Sequence, residues 1–479
     1  MARVLLINPP MFEEELFTPW ARATASVLPP LGLGYLAAVL EAKGHTVRIH
    51  DGIALHSTIE EVLSEARGKD VVGITAVTTF ARRTAEVIEA LKKHCRVPIV
   101  AGGPHTTILP GHMLEAGADA AVIGEGEETL LELVEALSLG RELEAIPGLC
   151  LARDGRIVST GRRTLIEPLD SVPMPSRHLL PMHLYGTSPA RAVQQPSHSM
   201  LSGRGCTGNC TFCNKAIFGT RVRSFSPGRI VGEMFLLRDR YGARDVALWD
   251  DNFTACPEVV FPVCEELGRR GFATSWSCES RIDTITREML VTMKGAGLNF
   301  IAYGIESGSP RVLTSINKRY GIEDVRAVIR MTKEVGIPIR AYFMTGLPGE
   351  TSEDIETTIR FAREIDVEIP TFTMFLPLPG TVAYRRAQEE DPSFDPEYYR
   401  KRLIPEIHFL DYPVFVPRGM TAGQLMALHH SAYRACYLNP RAIWRTVRGV
   451  RSVSDARRIV RSACSLAPKL LAYRKGGDR

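Results

Sequence analysis

The chain has 479 residues, of which 45% are hydrophobic and 23% are charged, and its net charge is +4. This length exceeds what one compact core organises, so two or three domains are expected, and the small net charge gives little reason to expect a nucleic-acid partner. No apolar run reaches the ~18 residues that span a bilayer, and residues 1–10 lack the regions of a signal peptide, which together predict a cytoplasmic protein.

Residues 1–145 alternate between short apolar runs and amphipathic stretches. This pattern predicts an α/β domain with a doubly wound, Rossmann-like parallel sheet. Ligands of such sheets bind outside the carboxyl ends of the strands, where small and polar residues let a large ligand approach closely. The predicted strands are 3–7, 46–50, 71–75, 98–102 and 120–124, and the candidate residues at their ends are Pro10, Asp51, Thr75, Thr78, Gly102, Gly103, His105, Gly124, Glu125 and Gly126.

The rest of the chain divides into three segments. Residues 146–196 are predicted to be a linker, with an Asp-Gly hairpin followed by a proline-rich stretch. Residues 197–385 contain six strand–helix units, which predict a partial (β/α)6 barrel of the TIM type. Residues 386–479 form a mainly helical region with 12 Lys/Arg against 2 Asp/Glu from Arg434 onward. Helices with a solvated basic side are the preferred interpretation, and weak contact with a membrane surface is the alternative.

Three cysteines lie close together in residues 205–214. Cys206, Cys210 and Cys213 have the spacing Cys-x3-Cys-x2-Cys. A structural zinc site would need a fourth Cys or His from elsewhere. A [4Fe–4S] cluster normally takes four cysteines, so three would leave one iron with an open position for a ligand. Unligated core cysteines are the remaining alternative. The loop follows the first barrel strand, which places it at the carboxyl-end mouth where barrel enzymes carry out their chemistry.

The segment "SGRGCTGNCTFCN" (202–214) closely resembles the radical S-adenosylmethionine superfamily, whose signature is CxxxCxxC with an aromatic residue before the last cysteine. The resemblance implies a [4Fe–4S] cluster on the three cysteines. Its open iron would chelate S-adenosylmethionine, and one-electron reduction would release a 5′-deoxyadenosyl radical.

The resemblance extends to "LWDDNFT" (248–254), "IAYGIESGS" (301–309), "MTGLPGET" (344–351) and "FLPLPGT" (375–381). It implies that Glu306 holds the ribose hydroxyls, with helix capping as the alternative role. It also places Asp250 and Asp251 near the methionine part, although the usual Gly-Gly-Glu is absent there. The implied S-adenosylmethionine contacts are Phe212, Asp251, Glu306, Ser307, Arg340, Gly346 and Pro348.

A sheet domain ahead of a radical barrel resembles the cobalamin-binding subfamily. The matching segments include "LLINPP" (5–10), "AGGPHTT" (101–107) and "DAAVIGEGEETLLELV" (119–134). The resemblance implies cobalamin at the strand ends. Many cobalamin-binding domains carry the motif Asp-x-His-x-x-Gly, whose histidine ligates cobalt, but here Asp51 is followed by Gly52 and Ile53. The resemblance therefore implies cobalamin without a protein histidine on cobalt. His105 is a candidate contact to the corrin, and backbone capping is its preferred interpretation. The sequence also lacks Gly-x-Gly-x-x-Gly after the first strand and a Walker loop, which disfavours NAD and ATP.

The activity implied by the resemblance is methylation of an unactivated carbon by methylcobalamin, after the deoxyadenosyl radical has removed a substrate hydrogen. The alternatives are anaerobic oxidative cyclisation of a tetrapyrrole and a non-catalytic cobalamin sensor, and the intact Cys206, Cys210, Cys213 and Glu306 argue against the sensor. The implied partners are a small-molecule or lipid-like substrate and an electron donor such as flavodoxin or ferredoxin.

Overall fold

The computed structural model of the chain describes residues 1–11, 26–186, 194–402, 413–440 and 443–444. Its two halves each contain a sheet, one of seven strands and one of six. A single connecting segment runs between them, and a helix near the end of the described residues packs on the second sheet. The predicted α/β class, with a Rossmann-like sheet ahead of a partial barrel, is confirmed.

The first sheet has the strand order β2-β1-β3-β4-β5-β6-β7. Its first five strands in chain order are parallel, as predicted. Both faces of β1 are buried: Val4 and Leu6 pack in the core on one side, and Leu5 and Ile7 pack in the core on the other. An apolar run without alternation is what a strand covered on both faces requires. The strands are β1 (Arg3–Asn8), β2 (Thr46–Asp51), β3 (Val71–Thr75), β4 (Ile99–Gly102), β5 (Ala120–Val122), β6 (Leu149–Arg153) and β7 (Arg156–Ser159).

In the described part of the first domain, six helices follow or separate these strands. Several begin with sequence features that satisfy free backbone N–H groups; for example, Thr58 and Glu61 form a capping box at the start of α2. The helices are α1 (Leu31–Ala42), α2 (Ile59–Ala66), α3 (Ala81–His94), α4 (Pro104–Ile108), α5 (Pro110–Glu115) and α6 (Glu127–Ser138).

The predicted linker at 146–196 is only partly a linker. Its Asp-Gly hairpin forms β6 and β7, which add antiparallel to the edge of the first sheet. The first sheet therefore extends beyond the predicted boundary at residue 145, because the hairpin supplies backbone partners to β5 that no other strand provides.

The remainder of this segment ties the two halves together. Arg177 is buried and donates to Glu233 at 2.6 Å and to the carbonyl oxygen of Ser199 at 2.8 Å, both in the second half. The neighbouring His178 lies 3.1 Å from Glu41 in the first half. Adjacent residues of the connecting segment thus contact both domains.

The second sheet is parallel throughout, and its strand order β15-β14-β13-β12-β11-β8 follows the sequence. Two short strands, β9 (Gly203–Arg204) and β10 (Arg223–Ser224), form a separate antiparallel pair. The sheet strands are β8 (Ser197–Met200), β11 (Asp245–Leu248), β12 (Ser275–Ser280), β13 (Leu298–Glu306), β14 (Ile339–Thr345) and β15 (Ile369–Met374). The helices between them are α7 (Pro227–Tyr241), α8 (Pro257–Arg269), α9 (Arg287–Gly295), α10 (Pro310–Ser315), α11 (Ile322–Val335) and α12 (Ser352–Ile365).

The helices that the structure describes after the barrel include α13 (Val382–Glu390), α14 (Tyr398–Lys401) and α15 (Ala422–Tyr437). Helix α15 covers the edge strand β15, where Tyr433 and Tyr437 donate their hydroxyls to the carbonyl oxygens of Phe372 and Pro370. Most of the basic residues from Arg434 onward lie outside the described residues, and so does the predicted membrane-surface contact. Within the described ranges, no helix combines the length and the apolar character needed to cross a membrane.

Candidate active site

The cysteine loop joins β9 to β10 and is held over the barrel by backbone hydrogen bonds. The amide of Thr211 donates to the carbonyl oxygen of Ile316 at 3.0 Å, and its carbonyl oxygen accepts from Ala383 at 2.9 Å. Ile316 and Ala383 belong to the segments that follow β13 and β15. The loop therefore lies at the carboxyl ends of the barrel strands, as the sequence predicts.

The Asp250 carboxylate holds the start of this loop by hydrogen bonds, and these bonds make it unavailable to a ligand. Its carboxylate accepts from the amides of Ser202 and Gly203 at 2.7 and 2.8 Å, and from the Ser202 hydroxyl. Burial raises the pKa of Asp250 to about 6 despite these hydrogen bonds. Asp251 faces the loop instead. Burial raises its pKa, while nearby Lys215 and the amide of Gly205 oppose that rise.

Two glycines make the path of the loop possible. Gly205 has φ +88°, and a Cβ there would lie 2.2 Å from the carbonyl oxygen of Arg221. A Cβ on Gly208 would lie 2.3 Å from Nη1 of Arg281. Any larger residue at either position would displace the loop or the arginine.

The three thiols lie on this loop with distinct surroundings. Cys206 Sγ accepts from the amide of Gly208 at 3.4 Å, and Cys210 Sγ accepts from Nη1 of Arg281 at 3.5 Å. Cys213 keeps exposed surface, yet the protein atoms around its sulfur, with Cys210 and Asp251, raise the pKa of its thiol to about 11. In the described part of the chain, no three His, Cys, Asp or Glu side chains are arranged to hold one metal ion. A cubane cluster binds each cysteine through a different iron, so its ligands need not converge on one point.

Glu306 ends β13 in a conformation that is rare for a residue with a side chain. Its φ is +73°, and the pairing of β13 with β14 shifts register between Gly304 and Glu306. Such a conformation costs about 1–3 kcal/mol and is typical of functional sites. A Cβ on Gly304 would lie 2.7 Å from Glu306 Oε1, so the glycine makes room for the carboxylate.

Lys318 links Glu306 to the cysteine loop. Its ammonium lies 3.1 Å from Glu306 Oε1 and 5.9 Å from the centroid of the Phe212 ring. Burial by itself would lower the pKa of Lys318, but Glu306 outweighs that effect and raises it. The predicted residues Phe212 and Glu306 are therefore brought together at the mouth by a lysine that the sequence prediction did not include.

Four residues predicted to contact S-adenosylmethionine have the following surroundings in the structure. The buried Ser307 hydroxyl pairs with Thr358 at 2.9 Å. Arg340 stands near the start of β14, and five residues of strand place it ~16 Å below the mouth. A Cβ on Gly346 would lie 2.9 Å from Leu425 of α15, and Pro348 lines an open outer groove. The roles of these four residues toward S-adenosylmethionine stay predictions: Ser307 and Gly346 have close protein neighbours, Arg340 lies near the start of its strand, and Pro348 lines an open groove.

The carboxyl edge of the first sheet contains the residues predicted to contact cobalamin. A Cβ on Gly103, which has φ +97°, would lie 2.8 Å from the Thr75 hydroxyl. Gly102 and Gly124 face open space, since a Cβ on Gly102 would meet only Val122 at 3.8 Å and one on Gly124 would meet nothing within 4 Å. The other predicted positions at this edge are Pro10, which packs against Gly52, and Thr78, which begins the turn after β3.

Several predicted residues of the first domain contact protein instead. The Asp51 carboxylate accepts from Asn8 and Tyr185, each at 2.8 Å. His105 is buried, and its Nε2 lies 2.8 Å from Nδ1 of His112, so it forms a histidine pair and not the predicted backbone cap. Gly126 begins α6, where a Cβ would lie 3.3 Å from Leu36.

Glu125 joins the two domains. Its carboxylate accepts from Nη1 of Arg204 at 2.8 Å and from Nη2 of Arg223 at 2.9 Å. Burial favours a raised pKa, but the hydrogen bonds from the two arginines outweigh it and lower the pKa of Glu125. Arg204 also pairs with Glu127. We refer to Glu125, Glu127, Arg204 and Arg223 as the interdomain network.

A second contact lies beside this network. A Cβ on Gly380, in the loop after β15, would lie 3.1 Å from Ile108 of the first domain and 3.5 Å from Asn214 of the cysteine loop. Asn214 in turn donates to the carbonyl oxygen of Pro379 at 2.9 Å. The carboxyl edge of the first sheet therefore faces the mouth of the barrel.

Comparison with known proteins shows the family of this chain. The sequence model of the radical SAM superfamily matches residues 200–362, and that of the B12 binding domain matches residues 20–134. An uncharacterised methyltransferase of Pyrococcus horikoshii is 34% identical over 448 residues, covering 92% of this chain and 94% of that protein. The chain belongs to the cobalamin-binding radical S-adenosylmethionine enzymes.

Two further proteins show lower sequence identity to this chain. The anaerobic magnesium-protoporphyrin IX monomethyl ester cyclase of Rubrivivax gelatinosus is 28% identical, covering 86% of this chain and 74% of its own length. The methyltransferase TsrM of Kitasatospora setae, solved with cobalamin and a [4Fe–4S] cluster, has a TM-score of 0.72 at 20% identity and covers 98% of this chain and 99% of its own. That likeness shows the shared fold.

The cofactors of the family are a [4Fe–4S] cluster, S-adenosylmethionine and cobalamin, and the residues present fit them. Cys206, Cys210 and Cys213 supply three thiol ligands, two of which already accept N–H hydrogen bonds. A Cβ at Gly102 or Gly124 would meet few or no protein atoms, so a ligand can approach the backbone closely at these two positions. Family membership also excludes zinc as the metal of the cysteine loop, and it excludes a nucleotide as the ligand of the first domain.

Sequence reasoning missed several residues around the site. Arg204, Arg281 and Lys318 contact residues that are distant in the sequence, and no motif spacing predicts such contacts. Glu350 gives a weak signal, since it lies within the segment MTGLPGET, directly after Gly349. Its buried carboxylate accepts from the amides of Gly346 and Leu347, and burial raises its pKa to about 8.

Proposed function

We propose that this enzyme transfers a methyl group from S-adenosylmethionine, by way of cobalamin, to an unactivated carbon of a small molecule. The observation that carries the proposal is the interdomain network. It joins Glu125, the residue after Gly124, to Arg204, two positions before Cys206, and so brings the carboxyl edge of the first sheet next to the cysteine loop. A reaction that needs both cofactors requires that arrangement.

The relatives support methyl transfer. The 34% identical protein is named a methyltransferase, and the cytidylyl-2-hydroxyethylphosphonate methyltransferase of Streptomyces wedmorensis is 28% identical, covering 86% of each chain. When bound, the cluster and S-adenosylmethionine supply a deoxyadenosyl radical, and cobalamin supplies the methyl group.

The residues of the protein would position S-adenosylmethionine and enclose the space between the two domains. Glu306 would hold the ribose hydroxyls, and the ammonium of Lys318 offsets its charge. Asp251 faces the cysteine loop, where the methionine part would lie. The buried interdomain network and the contact of Ile108 with Gly380 keep water from the space between the domains, and exclusion of water protects reactive intermediates. A small one-electron donor protein such as flavodoxin or ferredoxin would reduce the cluster.

The second candidate function is oxidative cyclisation of a tetrapyrrole. It is supported by the 28% identity to the anaerobic magnesium-protoporphyrin IX monomethyl ester cyclase. Lipid-like substrates form a further class that the open space at the carboxyl edge would admit.

The two functions differ in the fate of the S-adenosylmethionine methyl group. Reduced, fully loaded enzyme is incubated anaerobically with S-adenosylmethionine carrying a CD3 group, and cobalamin and nucleoside products are analysed by mass spectrometry. Methyl transfer predicts labelled cobalamin together with S-adenosylhomocysteine. Cleavage to 5′-deoxyadenosine without S-adenosylhomocysteine or labelled cobalamin would instead support the cyclase function.

A further inference from the structure

Arg281 lies against the cysteine loop immediately after β12. Its side chain is buried, and Nη1 points at Cys210 Sγ from 3.5 Å. Asp283 binds the other edge of the guanidinium, accepting from Nε at 2.9 Å and from Nη2 at 2.7 Å. The carboxylate thus fixes the plane of the guanidinium and leaves Nη1 directed at the sulfur.

The neighbouring residues keep this contact in place. The amide of Arg281 donates to Asn252 Oδ1 at 3.2 Å, which anchors its backbone. Gly208 provides the space, because a Cβ at this position would lie 2.3 Å from Nη1. The guanidinium of Arg281 can therefore occupy this position because residue 208 has no side chain.

Two lysines near the cysteines are directed elsewhere. Lys318 is paired with Glu306 at 3.1 Å, and Lys215 donates to the carbonyl oxygen of Cys206 at 2.9 Å and not to its sulfur. Arg281 is the cation that donates to a cysteine sulfur within the described residues around the loop.

We propose that Arg281 raises the reduction potential of the cluster by donating a hydrogen bond to the sulfur of Cys210. Reduction adds one electron, and so one negative charge, to a group that already carries three thiolates. A fixed cation and an N–H donor stabilise the reduced form more than the oxidised form, and hydrogen bonds to sulfur are among the factors that set cluster potentials. The electron comes from a one-electron donor, and no covalent bond forms or breaks at Arg281. The inference concerns the cluster and holds for either candidate reaction.

The test is a potentiometric titration of the reconstituted full-length enzyme, followed by the electron paramagnetic resonance of the reduced cluster. Arg281→Met is expected to shift the midpoint to a lower potential by about 59 mV, equivalent to a tenfold change in the one-electron equilibrium. Arg281→Lys keeps the charge without the fixed geometry, and its midpoint should fall between the two. Arg287→Met, on the outer helix α9 where Arg287 pairs with exposed Glu334, is the matched control and should not shift.

Gly208→Ala provides an independent variant that leaves Arg281 unchanged. Its added Cβ would push Nη1 away from the sulfur, so the midpoint should shift in the same direction as in Arg281→Met. The midpoint is a property of the loaded clusters, so a variant with lower iron content still gives an interpretable value. Wild-type potentials in both Arg281→Met and Gly208→Ala would overturn the proposal.

Discussion

Arg204 and Glu125 form a buried ion pair between the two domains, with 2.8 Å between Nη1 and Oε1 and both side chains 2% exposed. Arg204 stands two residues before Cys206, and Glu125 follows Gly124 at the carboxyl edge of the first sheet. The pair therefore fixes the distance between the cysteine loop and the residues expected to contact cobalamin.

Removing Arg204 should destabilise this junction strongly. Arg204→Met leaves the carboxylate of Glu127 buried without its guanidinium partner, and breaking a buried pair from one side costs about 3–5 kcal/mol. The measurement is the free energy of unfolding in denaturant, with Arg269→Met as the matched control, since Arg269 pairs with Glu266 on the exposed face of α8. The control should change little. Equal effects of the two substitutions would show that the network does not stabilise the junction.

Glu306→Gln should weaken binding of S-adenosylmethionine. The variant keeps the size of the side chain but loses the charge-assisted hydrogen bonds to the ribose hydroxyls, worth about 1.5–3 kcal/mol, or roughly tenfold to 150-fold in affinity. Equilibrium binding to the loaded enzyme measures the change. Glu323→Gln, at the exposed start of α11, is the control. Unchanged affinity in Glu306→Gln would assign Glu306 a purely structural role.

The pair formed by His105 and His112 should make the first domain sensitive to acid. Burial lowers the pKa of His105 to about 3 and that of His112 to about 4, whereas an unfolded histidine titrates near ~6.5. The unfolded chain therefore binds these protons first, and stability that is complete above pH ~6.5 is lost as the pH falls toward 4.

The comparison for this prediction is the double variant His105→Gln, His112→Gln, measured by denaturant unfolding between neutral and mildly acidic pH. It lacks both titrating rings, so its stability should depend less steeply on pH than that of the wild type. Parallel pH profiles would mean that the pair does not contribute to the acid sensitivity of the fold.

The sequence predicted the sheet strands closely, because buried parallel strands leave apolar runs. The predicted strand 71–75 is β3 (Val71–Thr75), and Cys206, Cys210 and Cys213 lie at the mouth as expected. The hairpin of β6 and β7 is predicted as part of a linker, since nothing in its sequence shows that it pairs with β5; all four residues of Arg156–Ser159 are exposed.

The polar framework of the site could not be predicted. Glu125 and Arg204 are 79 residues apart in the sequence, and an acidic residue at a strand end is compatible with either a ligand contact or an ion pair. The role of Arg340 stays a prediction: it lies near the start of β14 and not at the carboxyl end where the cysteine loop lies.

The claim on which the account depends is that the cysteine loop and the carboxyl edge of the first sheet open on one shared space. Magnetic coupling between the reduced cluster and cob(II)alamin in the fully loaded enzyme tests it directly. The account predicts that the cob(II)alamin resonance broadens or relaxes faster when the cluster is reduced, and that this change is absent from the triple variant Cys206→Ala, Cys210→Ala, Cys213→Ala. A cob(II)alamin resonance that is identical with and without the reduced cluster would contradict the account.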